Sequence, residues 1–258
     1  MKIKTNGVEL NVNDTGIGDT TLVFLHHMGG SSKTWSDVTS RLSRDFRCIA
    51  IDARGAGDSE ATETGYSIRN LGNDVLGVIA TLRLKRYIVI GHSMGGKIAQ
   101  YLASTHPAGL VGIVLVAASP PSPMVLDDAT REQYRGAYAN RAAVEGALDN
   151  ALVGSLLSTE AREQLIADSL RTSTHSKNGW IDIGSRDDII ADLKAIEVPV
   201  TIIAGDKDKV DSPEVVKSEI AIHYPSAAVH FIADKGHVLP LEAPAELTAI
   251  IGEFAAPL

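Results

Sequence analysis

With 258 residues, 22% of them charged and 44% hydrophobic, the chain has the composition of a globular protein large enough for one α/β domain, which excludes a disordered or fibrous molecule. A net charge of −8 with no basic run excludes the electrostatic footprint needed to bind nucleic acid or anionic lipid. The single cysteine, Cys48, has no partner for an internal disulfide and, inside the apolar run Cys48–Ile51, reads as a buried, inert thiol.

In chain order, Met1–Gly7 lacks the apolar stretch of a secretory signal, and no segment is long enough to span a bilayer, so a cytoplasmic protein with no membrane partner is expected. Asn6-Gly7 between two short apolar runs predicts an antiparallel hairpin. Core strands follow at Thr21–Leu25, Cys48–Ile51, Tyr87–Ile90 and Val111–Val116, with two more at Val200–Ala204 and Ala228–Ile232. They alternate with segments of helical period, the pattern of βα units around a mostly parallel sheet flanked by helices. Ser67 is placed to cap a helix that buries Ile68, Leu71, Val75, Ile79 and Leu82. From Pro120 to Lys194 the rhythm breaks into three or four helices, including Thr130–Asn140 and Thr159–Arg171. The expected organisation is therefore a core of residues 1–119 and 195–258 with an inserted helical lid of residues 120–194.

The chemistry concentrates at Gly91-His92-Ser93-Met94-Gly95, a G-x-S-x-G pattern that leaves a predicted strand and opens a helix. A serine on so sharp a turn needs neighbours without side chains, and the turn lifts its hydroxyl clear of the sheet. Leu25-His26-His27-Met28-Gly29-Gly30 follows the first long core strand, and Asp52-Ala53-Arg54-Gly55-Ala56-Gly57-Asp58-Ser59 follows the next. The second reads as a loop held by hydrogen bonds. Gly205-Asp206-Lys207-Asp208 ends a buried strand, and Gly236-His237 follows the last strand, both at the C-terminal ends of strands, where parallel-sheet proteins gather their sites. Asp206 and Asp211 compete with Asp208 for the role of acid. His237, of the eight histidines, has the strongest context.

This order of motifs resembles the α/β-hydrolase family over nearly the whole chain, the lid excepted. The resemblance implies Ser93 as nucleophile, His237 as base and Asp208 as the acid that orients it. The second acid position used by some relatives is filled by Ala117-Ala118-Ser119-Pro120, which offers no carboxylate. It further implies an oxyanion hole from the backbone N–H groups of Met28 and Met94. The family usually has His-Gly where this chain has His26-His27; His26 reads as structural, while His27 lines the pocket or faces solvent. Tyr134, Tyr138 and Trp180 are further candidates for contact with substrate, and His92 reads as structural.

The expected function is hydrolysis of a small to medium ester or lactone, with a small-molecule substrate, no nucleic-acid or membrane partner and no metal or organic cofactor. Serine at position 93 argues against the family's dehalogenases and epoxide hydrolases, which use an aspartate nucleophile. The same residues also suit a carbon-carbon bond hydrolase or a cofactor-free perhydrolase or haloperoxidase-like enzyme. A small-molecule receptor on the same fold is the reading from another class. Oligomeric state has no signal in the sequence.

Overall fold

In the computed structural model, which describes residues 1–258, the β-branched runs form eight strands of one sheet in the order β1-β2-β4-β3-β5-β6-β7-β8. The strands are β1 (Lys2–Thr5), β2 (Val8–Thr15), β3 (Thr21–Leu25), β4 (Arg47–Ile51), β5 (Tyr87–His92), β6 (Leu110–Val116), β7 (Val200–Gly205) and β8 (Ala228–Ile232). β1 and β2 make the expected hairpin, with Asn6 and Gly7 at φ of 44° and 75°, the paired positive values that a tight two-residue turn demands. β2 meets β4 antiparallel, and from β4 to β8 every pairing is parallel.

Because side chains alternate across a strand, each central strand feeds two cores. Val23, Leu25, Val89, Ile113 and Leu115 pack on one face against helices α2 (Ile68–Thr81) and α3 (Met94–Ser104). Leu22, Phe24, Ile88, Ile90, Val114 and Val116 pack on the other against α1 (Ser36–Leu42) and the C-terminal helix Pro244–Ala255. Each such aliphatic side chain, fully buried, contributes ~1.5–3 kcal/mol to holding the sheet rigid beneath its loops. Ser67 caps α2 by accepting from the Asn70 N–H, as its position suggested. Leu82 is the residue that closes the helix and is only half-buried.

A helical insertion connects β6 to β7. It contains α4 (Asp128–Gly136), α5 (Arg141–Ala147), a π-turn at Leu148–Leu152, α6 (Thr159–Arg171) and α7 (Thr174–Asp182). The helix expected over Thr130–Asn140 is α4, which starts two residues earlier and stops at Gly136, four residues short of Asn140. Asp127 caps it through the Thr130 N–H, and Asn140 interrupts the run by capping α5 through the Ala143 N–H, 3.0 Å away. The insertion is tied down by polar contacts: Ser31 Oγ donates to Asp168 Oδ2 at 2.7 Å, and Ser173 N–H donates to Gly55 O at 2.8 Å. No helix is long and apolar enough to cross a membrane.

Candidate active site

Ser93 sits between β5 and α3 with φ 54° and ψ −116°, a backbone conformation that costs energy in any residue with a side chain. Hydrogen bonds hold it there. Its N–H donates to Val116 O at 3.0 Å, and its carbonyl accepts from Gly96 N–H at 2.8 Å and Ser119 N–H at 3.1 Å. The glycines at either end are spatial requirements: a Cβ at Gly95 would lie 2.5 Å from the Leu25 carbonyl oxygen, and one at Gly91 would run into the Gly95 carbonyl. Packing of the turn against β3 and against itself therefore presents the Ser93 hydroxyl above the sheet.

His237 and Asp208 reach the same place from the loops after β8 and β7. His237 Nδ1 donates to Asp208 Oδ2 at 2.9 Å, and Asp208 Oδ1 accepts from the N–H groups of Val210 and Asp211 at 2.8 and 3.1 Å. Asp208 is thus oriented by its own turn. Asp206 faces away and accepts from the Asp234 N–H at 2.7 Å. With Nδ1 carrying the proton, Nε2 of His237 presents a lone pair, and no protein group engages it. Burial opposes protonation of this ring most strongly, yet the negative charge and hydrogen bond of Asp208, followed by Asp211 and Glu242, outweigh it and raise its pKa above the ordinary 6.5.

The base loop is fixed from two further sides. His92 Nε2 donates to the His237 carbonyl at 2.8 Å, which gives this elbow histidine the structural role its position suggested. Glu242, buried, accepts from the N–H groups of Gly236, Gly154 and Ser155, and the His237 N–H donates to Leu152 O at 2.8 Å. One carboxylate therefore clasps the insertion onto the loop that carries His237. Sequence reasoning missed it because nothing near Glu242 marks it off from an ordinary helix residue.

Ser93 and His237 line one cavity of about 60 Å³, in which His27, Met28, Tyr138 and Trp180 also take part. No hydrogen bond of 3.5 Å or less joins Ser93 to His237, a looseness common before substrate binds. The Met28 N–H donates to no protein acceptor, and Met94 is the first residue of α3, where a helix leaves its N–H groups unpaired. The Met94 side chain turns the other way, into the core beside Leu25 and Ile98. Tyr134, Tyr138, Leu152 and Val210 form a shared wall with a larger outer cavity of about 600 Å³ between α4 and α5. Leu152 belongs to the π-turn and Val210 to the acid loop, and neither carries a sequence signal for lining a pocket. His26 is structural: its Nε2 accepts from the Ala53 N–H at 3.0 Å and its Nδ1 donates to His27 O at 2.7 Å. Asp52 likewise holds its loop, accepting from the N–H groups of Ser32 and Asp58, while Arg54 pairs with Asp74 on α2.

Asp211, beside the acid, is buried with Oδ2 unpartnered, and burial pushes its carboxyl up to about 7. Its folded pKa lies above its unfolded one, so the stability it contributes is present in acid and is lost as pH rises from about 4 through about 7. Asp211→Asn is expected to raise the urea midpoint at pH 8 and to leave it nearly unchanged at pH 4, a difference of at most ~4 kcal/mol. Equal gains at both pH values would contradict this.

Comparison with known proteins identifies the fold. Residues 20–244 match a family model described as the alpha/beta hydrolase fold. A 2-succinyl-6-hydroxy-2,4-cyclohexadiene-1-carboxylate synthase from Enterobacter sp. (strain 638) is 26% identical, covering 90% of each chain. An esterase from Exiguobacterium antarcticum superposes with a TM-score of 0.89 at 21% identity, covering 98% of each chain. The enol-lactonase from Burkholderia xenovorans LB400 superposes with a TM-score of 0.86 at 22% identity, over 99% of this chain and 100% of its own.

Proposed function

Since the chain belongs to the α/β-hydrolase family, we propose that it is a serine hydrolase that cleaves a small to medium ester or lactone through an acyl-enzyme on Ser93. The observation that carries this reading is the Ser93 elbow opening into one cavity with a His237 whose Nδ1 is bonded to Asp208. In the reaction, His237 Nε2 takes the Ser93 proton as Oγ attacks the substrate carbonyl. Asp208 stays ionised, fixing the tautomer and stabilising the imidazolium. The N–H groups of Met28 and Met94 receive the oxyanion, each such donor being worth about 3 kcal/mol of barrier. The C–O bond then breaks, and the imidazolium gives its proton to the leaving alkoxide. Water repeats the sequence on the acyl-enzyme and frees the acid.

Residues 120–194 act as the lid, excluding water and shaping the pocket above Ser93. The esterase and enol-lactonase among the structural relatives act on bonds of this class, and the small inner cavity favours short acyl groups. Hydrolysis of p-nitrophenyl esters from acetate to octanoate is the test, with the short esters preferred. Because the raised pKa of His237 marks where the base becomes protonated, kcat/KM should fall as pH drops through a value above 6.5. A rate that stays flat down to pH 5, or no ester hydrolysis at all, would overturn the proposal.

A further inference from the structure

His27 stands where relatives have glycine, yet its φ is not positive, so the chain accepts a side chain there without backbone strain. What the side chain does is unaccounted for by packing alone. The ring is buried, wedged beside Gly30 on one edge and packed against the His92 ring at a 49° tilt, with centroids 4.8 Å apart. Its Nδ1 is enclosed and has no hydrogen-bond partner. Nε2 has no protein hydrogen-bond partner either but, unlike Nδ1, is not fully enclosed, and His27 lines the cavity together with Ser93 and Met28. Burial above all, then the neighbouring His92, His26 and His237, hold the ring well below the ordinary histidine pKa, so it is neutral and carries one N–H.

A neutral imidazole has two placements for that proton. On Nδ1 it would be a donor sealed away from every acceptor, the costlier kind of orphan. On Nε2 it points into the cavity, and only a lone pair is left unpaired. The second tautomer makes His27 a fixed hydrogen-bond donor whose acceptor is missing from the protein. It adjoins Met28, the residue placed to hold the oxyanion, so the acceptor belongs to the substrate near its scissile carbonyl.

We propose that His27 is a specificity-determining residue whose Nε2–H donates to an oxygen on the acyl part of the substrate, beside the carbonyl that Ser93 attacks. The preferred class is esters or lactones with an ether, hydroxyl or carbonyl oxygen next to the scissile group. This rests on the serine-hydrolase reading above. A site built to donate to such an oxygen discriminates against a methylene in its place, because binding then leaves a buried donor unpaired.

The test compares p-nitrophenyl methoxyacetate with p-nitrophenyl butyrate, two acyl groups of similar shape that differ by an oxygen for a methylene. The ratio of their kcat/KM values is measured in the wild type, His27→Phe, His27→Gly and His27→Gln. Their difference in intrinsic reactivity cancels between proteins. The ratio is expected to fall ~10-fold in the Phe and Gly variants, the size of one lost neutral hydrogen bond. Gln, which keeps an N–H donor, restores most of it. A ratio unchanged in whichever of the Phe and Gly variants folds overturns the role of His27 while leaving the nucleophile assignment standing. Absence of Ser93-dependent turnover of either ester overturns the serine-hydrolase reading, and this inference with it.

Discussion

Replacing Ser93 by alanine is expected to lower kcat for p-nitrophenyl acetate by ~10⁶-fold, the loss seen when a hydrolytic serine acting within a triad is removed. The elbow keeps its form in this variant. Its conformation is imposed by the backbone hydrogen bonds to Val116, Gly96 and Ser119 and by the glycine contacts, none of which involves the hydroxyl. The unfolding midpoint should therefore stay where it is while turnover disappears. A variant that folds and retains more than ~1% of the rate would show that the hydroxyl is not the attacking group.

Asp208→Asn should cost ~10⁴-fold in kcat through the tautomer of His237 rather than through the fold. The asparagine can keep its carbonyl on the Val210 and Asp211 N–H groups, which Asp208 Oδ1 now accepts. Its amide NH₂ then takes the place of Oδ2 and faces His237 Nδ1, which can no longer donate there. The proton moves to Nε2, and the lone pair that should receive the Ser93 proton is gone. Asp206→Asn should leave the rate unchanged, because Asp206 bonds only the Asp234 N–H on the far side of its turn. If the two variants exchange their effects, the acid has been assigned to the wrong residue.

The parts of the molecule that follow from local chemistry were readable in the sequence. The hairpin at Asn6-Gly7, the cap at Ser67 and the strands β3 to β8 follow from turn residues, a capping side chain and β-branched runs, each of which acts over a few residues. The elbow was legible for a similar reason: Gly91 and Gly95 are required by contacts within the strand-turn-helix unit and with the neighbouring β3. The insertion was legible as helical but not in its breaks, since the stop at Gly136 and restart after Asn140 depend on one side-chain cap competing with continued helix. Tertiary pairings were out of reach. Glu242 clasping Gly154 and Ser155, a separation of 88 residues for the first, and Asp211 buried without a partner at Oδ2 are products of packing. The unusual His26-His27 pair was visible as a departure, but only the fold shows that one ring is bonded at both nitrogens and the other at neither.

The central claim is that one serine forms a covalent intermediate, and the most direct measurement is the intact mass of the protein after incubation with diethyl p-nitrophenyl phosphate, followed by peptide mapping. A hydrolase with an activated serine attacks the phosphorus, releases p-nitrophenol and keeps the diethylphosphoryl group. A single adduct on Ser93, formed with release of one equivalent of p-nitrophenol and absent from Ser93→Ala, is the predicted result; an unmodified protein, or an adduct on any other residue, would contradict it.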